Sequence, residues 1–265
     1  MSYTFDVSNC SGCAKITTRF NPPIQLDENK QYELALDKLE SYWSFPNVSE
    51  SNGYFHITIR EESGYSFRIK TGAYELKEIN RYIQQTLKDL GAREDIVSFT
   101  ANRNTLRCIM TIADGCLVNF VDKNTLASLF GFDNKVYEAG VHEAEKIINI
   151  ININSIVVHN NLVSGSYVDG SLSPVIYSFF PTSGVGEKIN EKPLERVYCP
   201  VNLKTITETQ TWLTDQNDND IDLQGENLTI RFHIREVANS YLEKMVKLLE
   251  NMVKLMEKNT NILYK

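Results

Sequence analysis

Hydrophobic and polar residues alternate with a period of two along most of the chain, which is the pattern of half-buried β-strands. The clearest example is the pair of runs 54–60 and 65–70, which flank a turn at 61–64 and predict a β-hairpin. Ten other runs share this character: residues 15–20, 32–36, 96–101, 106–112, 116–121, 147–159, 175–180, 197–201, 206–213 and 228–234. The body of the chain is therefore predicted to consist mainly of short strands.

Two segments of the body follow a helical period instead. Residues 124–131 predict one or two helical turns that end at Gly131, and residues 76–90 predict a longer helix that stops before Gly91. The apolar residues of the longer segment lie three or four positions apart and form one face: Leu76, Ile79, Ile83, Leu87 and Leu90. A chain with many short strands and only two helices does not show the regular alternation of strand and helix that βαβ units require. The predicted fold is all-β, a single jelly-roll sandwich with short helical insertions.

The C-terminal segment, residues 237–265, changes to a period of about three and a half and predicts an amphipathic, coiled-coil helix. Its e and g heptad positions are mostly apolar, like its a and d positions. A stripe of that width exceeds what a two-stranded coil buries, so we expect three or more helices to associate. The predicted oligomer interface has ten members: Leu242, Met245, Val246, Leu248, Leu249, Met252, Val253, Leu255, Met256 and Leu263.

Two other interpretations of this helix stay open. Amphipathic helices usually bury their apolar face on their own domain, and this one could do the same. It could also lie on a membrane surface, because lysines line one side and aliphatic residues the other. Three regularly spaced glutamates, Glu243, Glu250 and Glu257, weaken attraction to anionic lipid, and the segment contains no tryptophan.

The formal net charge of -7 is unevenly distributed. Residues 237–265 carry five lysines and three glutamates, a balance of +2, so the rest of the chain carries -9. An acidic body without a basic run predicts no nucleic-acid binding. The N-terminus has no basic segment followed by an apolar stretch, and no apolar run approaches the roughly 20 residues of a membrane span. We therefore expect no signal peptide, no stable membrane insertion and synthesis in the cytoplasm.

No residue pattern predicts catalysis, a metal site or a cofactor. Cys10 and Cys13 have the spacing of zinc and redox motifs, but no second close pair accompanies them, which favours incidental thiols. His142 precedes a glutamate but lacks the second histidine of a metalloprotease helix. Residues 215–220 alternate oxygen-bearing side chains as a calcium loop does, yet Asp220 stands where that loop requires glycine. An acidic turn is the favoured interpretation, and the protein is predicted not to be an enzyme.

Six blocks of the body carry a family resemblance when they are taken in order. They are Tyr32-Glu-Leu-Ala-Leu36 with Phe45-Pro-Asn-Val48, Thr71-Gly-Ala-Tyr-Glu75 with Ile79-Asn80 and Tyr82-Ile83, Ser128-Leu-Phe-Gly-Phe132, Val163-Ser-Gly-Ser-Tyr167, Tyr198-Cys-Pro-Val-Asn202, and Asp215-Gln216 with the run from Ile221 to Ile234. This series resembles the single jelly-roll penton, or minor capsid, proteins of Polinton/Maverick elements and related adinto-like viruses. The resemblance covers residues 31–235 and leaves the C-terminal helix outside it.

The resemblance implies a structural capsid protein of the virion that assembles as a homopentamer at the icosahedral vertex and contacts the major capsid protein. The predicted organisation is an N-terminal arm over residues 1–30, a jelly-roll domain over 31–236 and an oligomerisation helix over 237–265. An alternative is a trimeric virus-type attachment or receptor-binding protein held together by the C-terminal coiled coil. A carbohydrate-active sandwich enzyme is a third class, which would require a cleft with convergent carboxylates.

Overall fold

The structure is a computed structural model that describes eighteen strands and two helices. The residues described are 2–9, 13–59, 64–93, 95–168 and 170–237, together with Met245, Leu248, Leu249 and Met252. In chain order the elements are β1 (Ser2–Asn9), β2 (Lys15–Gln25), β3 (Tyr32–Tyr42), β4 (Tyr54–Ile59), β5 (Tyr65–Arg68), α1 (Leu76–Asp89), β6 (Val97–Asn102), β7 (Arg107–Ile112), β8 (Cys116–Asn119), α2 (Ala127–Phe130), β9 (Val136–Tyr137), β10 (Gly140–Ile147), β11 (Ile156–Asn160), β12 (Ser166–Val168), β13 (Ser171–Ser173), β14 (Val175–Phe179), β15 (Lys188–Glu191), β16 (Cys199–Val201), β17 (Thr205–Thr214) and β18 (Leu228–Glu236).

Two antiparallel sheets packed face to face form the main body of the fold. One sheet has the order β1-β18-β3-β15, with β16 paired to the other end of β3, and the second has the order β14-β11-β17-β2. Alternate residues of each strand point between the sheets, as β18 shows with four fully buried side chains: Leu228, Ile230, Phe232 and Ile234. This is the eight-position arrangement of a jelly roll, with β15 and β16 sharing one position. The prediction of a mostly β fold with antiparallel sheets and few helices is confirmed.

Residues 2–25 supply one strand to each sheet of the jelly roll. Strand β1 pairs with β18 along its whole length, from Ser2 opposite Arg235 to Asn9 opposite Leu228. Strand β2 pairs with β17 in the second sheet. The segment 1–30, predicted as an arm, thus contains two of the eight strand positions. The reason lies in its pattern, because β1 alternates apolar and polar residues and turns its apolar side toward the core.

A second unit with its own hydrophobic core lies between β3 and β11. It contains two small sheets, β5-β4-β8-β9 and β10-β7-β6, and both helices. The predicted hairpin is present as β4 and β5. Helix α1 buries Ile79, Ile83 and Leu87 as predicted but ends at Asp89, so Leu90 is exposed. The predicted body, residues 31–236, therefore holds two hydrophobic cores.

Asn47 joins the two units at the point where the chain leaves the jelly roll. Its Nδ2 donates to the carbonyl oxygens of Tyr74 at 2.7 Å and Ile150 at 2.8 Å, and its Oδ1 accepts from the Tyr74 amide at 2.9 Å. Nearby, Asn152 Nδ2 donates to the Pro46 carbonyl oxygen at 3.1 Å. Asn47 is buried, so its amide replaces the water that these backbone groups would otherwise need.

Replacing Asn47 with alanine should destabilise the protein by about 2–4 kcal/mol, because buried backbone donors and acceptors lose their partner without gaining water. Urea unfolding at pH 7.5 measures the change. Asn119→Ala is the matched control. Within the described residues the Asn119 side chain makes one hydrogen bond, in which its Oδ1 accepts from the Val121 amide, and it lies in a partly exposed strand. Equal losses in the two variants would contradict a joining role for Asn47.

Candidate assembly surface and cleft

The predicted C-terminal interface falls largely outside the described residues. Met245, Leu248, Leu249 and Met252 are described, with helical backbone and side chains that are 51–62% exposed. The other predicted members lie outside the described residues: Leu242, Val246, Val253, Leu255, Met256 and Leu263. No helix among the described residues is long and apolar enough to cross a membrane.

A second apolar surface, which the sequence did not indicate, lies at one side of the sandwich. There β14 is the outer strand of one sheet, and β15 and β16 are the outer strands of the other. Large exposed apolar side chains occur on the hairpin that precedes β14 and in the loops that join these strands. They define the β14–β16 edge: Tyr167, Phe180, Val185, Leu194 and Val197. Single exposed apolar residues are ordinary, but a series at one side is typical of an interaction surface.

Leu194 is the most prominent of these residues because its side chain is fully exposed. The loop that carries it is held by an ion pair and hydrogen bonds between the Arg196 guanidinium and the Asp37 carboxylate. At the end of the loop, the Tyr198 ring lies under the Arg235 guanidinium, 3.5 Å from the ring centroid. A loop fixed at both points loses little further conformational freedom when a partner binds Leu194.

A cleft of about 700 Å³ lies on the outer face of the second sheet. The β12–β13 hairpin forms one wall, and the turn at residues 215–218 forms the other. Side chains from β11, β14 and β17 form the floor. The full lining is Ser155, Val157, His159, Val168, Ser171, Leu172, Ser173, Val175, Ser178, Thr214, Asp215, Gln216, Asn217 and Asp218.

His159 is one of two buried polar residues in the described lining of the cleft, the other being Thr214. The ring of His159 stacks on Trp212 with the planes 4° apart and the centroids 5.0 Å apart, and its Nε2 is hydrogen-bonded to Thr214 Oγ1 at 2.8 Å. The Asp218 carboxylate is 3.9 Å from Nε2. The other ring nitrogen of His159, Nδ1, is buried and has no hydrogen-bond partner among the described residues. Burial lowers the pKa of His159 below its ordinary value, and Asp218 opposes that shift.

The turn at residues 215–220 is held by its own first carboxylate. Asp215 Oδ1 accepts from the backbone amides of Asn217 at 2.8 Å and Asn219 at 2.9 Å, and Oδ2 accepts from Asn219 Nδ2 at 3.0 Å. Burial raises the pKa of Asp215, but these hydrogen bonds outweigh it and the net pKa is lowered. The segment is an acidic turn, in which a cation would have to compete with three donors for Asp215. Within the described residues, no group of three or more His, Cys, Asp or Glu side chains is placed to hold a metal.

The other candidates for chemistry take structural positions. His56 and Ser66 are opposed on the β4–β5 hairpin, with Nδ1 and Oγ 2.5 Å apart, and the other ring nitrogen meets Thr58. Both ring nitrogens of His56 thus face hydroxyls, and among the described residues no carboxylate is bonded to the imidazole to orient it, as nucleophilic catalysis would need. His142 is half-buried and bonded to a backbone carbonyl, and the thiol of Cys13 is free and exposed. Cys10 lies outside the described residues.

The lowered pKa of His159 predicts a stability that depends on pH. The unfolded chain takes up a proton on this residue near pH 6.5, while the folded chain resists protonation until a lower pH. The stability that the fold keeps by holding His159 neutral is therefore fully present above about pH 6.5. It is lost as the pH falls from that value toward the pKa of the folded state. Unfolding free energies at pH 7.5, 6.5 and 5.5 should decline more steeply for the natural chain than for His159→Gln. Parallel curves would show that His159 carries no such linkage.

Comparison with known proteins supports the architecture. Neither a protein-family model nor a curated protein sequence matches this chain significantly. Among solved structures, the crystal structure of the selenomethionine-labelled mavirus penton protein matches with a TM-score of 0.50 and 12% sequence identity, over 89% of this chain and 100% of that chain. At that identity the match concerns the fold, so the predicted resemblance holds in a coarser form: this chain folds as a penton-like jelly roll.

Proposed function

We propose that this chain is a structural capsid protein of the virion that assembles as a homopentamer at the icosahedral vertex, beside the major capsid protein. The observation that carries the proposal is the fold match along the whole length of the mavirus penton protein. The six blocks over residues 31–235 extend the proposal to the Polinton/Maverick and adinto-like group. The proposed role is structural, without enzymatic activity, and it rests on the same fold match.

The β14–β16 edge is the proposed contact between the jelly rolls. A closed ring of identical subunits uses two different surfaces of each subunit, so this edge would pack on another face of its neighbour. Leu194 is the proposed anchor, because it is fully exposed on a loop held by Arg196 and Tyr198. Burying a leucine side chain contributes about 1.5–3 kcal/mol.

The C-terminal segment is proposed as a second contact within the ring. Apolar residues at a, d, e and g give a stripe that can touch two neighbouring helices at once, as five helices around an axis require. The four described residues agree with this, since Met245, Leu248, Leu249 and Met252 are helical and exposed in the single chain. We propose a domain boundary at residue 236, and because strands β1 and β2 belong to the two sheets, we count the segment 1–30 with the jelly roll.

The mass of the purified full chain tests the proposed function. Five copies of a 30.3 kDa chain weigh about 152 kDa, and three copies weigh about 91 kDa. Light scattering and native mass spectrometry should show the pentamer. A trimer would favour the alternative, an attachment or receptor-binding protein held together by the coiled coil. A monomer at micromolar concentration would contradict both.

Leu194→Glu should shift the pentamer's dissociation to at least tenfold higher protein concentration, because a charge replaces an apolar anchor in a dry contact. Mass photometry over a dilution series measures the shift. Val141→Glu is the matched control: Val141 is 71% exposed on β10 of the inserted unit, away from the β14–β16 edge. If both variants dissociate like the natural chain, the edge is not the contact.

A further inference from the structure

The cleft beside His159 has a composition that the assembly proposal does not use. One side of the cleft is aliphatic. Val168 and Leu172 contribute from the hairpin, and Val157 and Val175 contribute from the floor. The rest is polar, with five hydroxyl groups, two carboxylates, two amides and one imidazole. A pocket that is apolar on one side and rich in fixed polar groups on the other is typical of a site for a small organic molecule.

The buried nitrogen of His159 indicates an incomplete hydrogen-bond network. A neutral imidazole has one donor and one acceptor nitrogen, and here Thr214 satisfies only Nε2. Leaving a buried polar atom unpaired is unfavourable, so a ligand group that reaches Nδ1 and supplies the missing bond would be favoured there. A hydroxyl can both donate and accept, and therefore suits Nδ1 in either tautomer.

The charges around the cleft limit the ligand further. No lysine or arginine belongs to the described lining, and Asp215 and Asp218 are both acidic, so an anionic ligand is disfavoured. Asp215 is already bonded to its own turn, and Gln216 is bonded to the backbone of Asn152 and Asn154. These bonds keep the wall rigid. Thr214 Oγ1 is bonded to His159, whereas the serine hydroxyls of the floor and hairpin, such as that of Ser178, have no hydrogen-bond partner within the described chain.

We propose that this cleft binds a neutral polyhydroxylated ligand, namely a short uncharged glycan. Its hydroxyls would bond to His159, Asp218 and the serines, and the C–H face of a sugar ring would lie against the aliphatic side. A volume of about 700 Å³ is in the range of small-ligand sites. The proposal goes beyond capsid assembly and does not depend on it, because all of the described lining residues belong to one chain.

Saturation-transfer NMR on the full chain tests the proposal with four uncharged probes: the methyl glycosides of glucose, galactose, mannose and N-acetylglucosamine. N-acetylneuraminic acid serves as the anionic comparison. We expect saturable binding of at least one uncharged glycoside and weaker binding of the acid. Ser178→Tyr places a ring in the cleft from an exposed position of β14 and should weaken binding at least tenfold, which corresponds to about 1.4 kcal/mol.

Ser8→Tyr is the matched control, the same substitution at an exposed position of a strand in the other sheet. It should bind as the natural chain does. Asp218→Asn, at an exposed turn position, should reduce binding without changing the melting temperature. The proposal is wrong if none of the four glycosides binds at about 20 mM. That concentration is high enough to detect even weak complexes, with Kd values above about 1 mM. Equal binding by Ser178→Tyr and Ser8→Tyr, or preference for the acid, would also overturn the proposal.

Discussion

Removing residues 1–12, and with them strand β1, should leave the jelly roll unable to hold a stable native state. Strand β1 pairs with β18 over eight residues and covers the side of the core where Phe5 lies 5.4 Å from the Phe232 ring centroid. Val7 is buried at 1% exposure. Each fully buried apolar side chain contributes about 1.5–3 kcal/mol, against a total stability of about 5–15 kcal/mol. We expect insoluble protein, or loss of the cooperative melting transition by circular dichroism.

A pair of point variants separates this effect from a general intolerance of changes at the N-terminus. Val7→Asp buries a charge in the core and should cost several kcal/mol, whereas Ser8→Asp changes the neighbouring exposed residue and should be nearly neutral. An arm that precedes the domain would tolerate all three changes. A shortened chain that melts within a few degrees of the natural one would therefore favour the interpretation of residues 1–30 as an arm.

Local pattern was sufficient for the elements whose partners are close in sequence. The β4–β5 hairpin follows from alternation and a short turn, and it pairs Phe55 with Phe67 across the strands. The stop of α2 at Gly131 follows from its φ of 83°, and a Cβ there would lie 2.4 Å from the Lys146 carbonyl oxygen. In both cases the physical cause acts within a few residues along the chain or at a single backbone position.

Pairing between distant segments could not be obtained in the same way. The ladder of β1 with β18 joins residues more than 200 positions apart, and a strand pattern does not identify its partner. The alternating run 147–159 predicts one strand, but β10 ends at Ile147 and β11 begins at Ile156. The residues between them cross from the inserted unit to the jelly roll, where Asn152 bonds to Pro46 instead of joining a sheet.

The cleft shows the same limit for a functional site. Its walls come from the hairpin at 166–173 and the turn at 215–218, which only the folded sandwich brings together. His159 occurs in a strand-like run, where a face position explains a histidine without any special role. The one available signal was the position of His159 next to Val158 in the strand. Val158 points into the core, and because successive strand residues point to opposite faces, His159 lies on the outer face.

Removing residues 238–265 should convert the pentamer into smaller species, because the ring would lose the helix contact and keep only the β14–β16 edge. The same result is expected from Leu249→Asp with Met252→Asp, which places two charges at adjacent a and d positions of the heptad. Asn251→Asp with Asn261→Asp is the matched control. It adds the same charge at positions c and f, outside the apolar stripe, and should keep the mass of the natural chain.

The melting temperature of each variant distinguishes loss of assembly from loss of folding. Val237, the last residue before the removed segment, donates its amide to the Gln31 carbonyl oxygen at 2.9 Å, so the jelly-roll ladder stays complete without the tail. A truncated chain should therefore fold and lose only the part of its stability that depends on protein concentration. If it remains a pentamer by light scattering, the jelly rolls assemble alone and the proposed role of the C-terminal helix is wrong. If it becomes a monomer while Leu194→Glu has no effect, the helix carries the assembly and the edge contact is wrong.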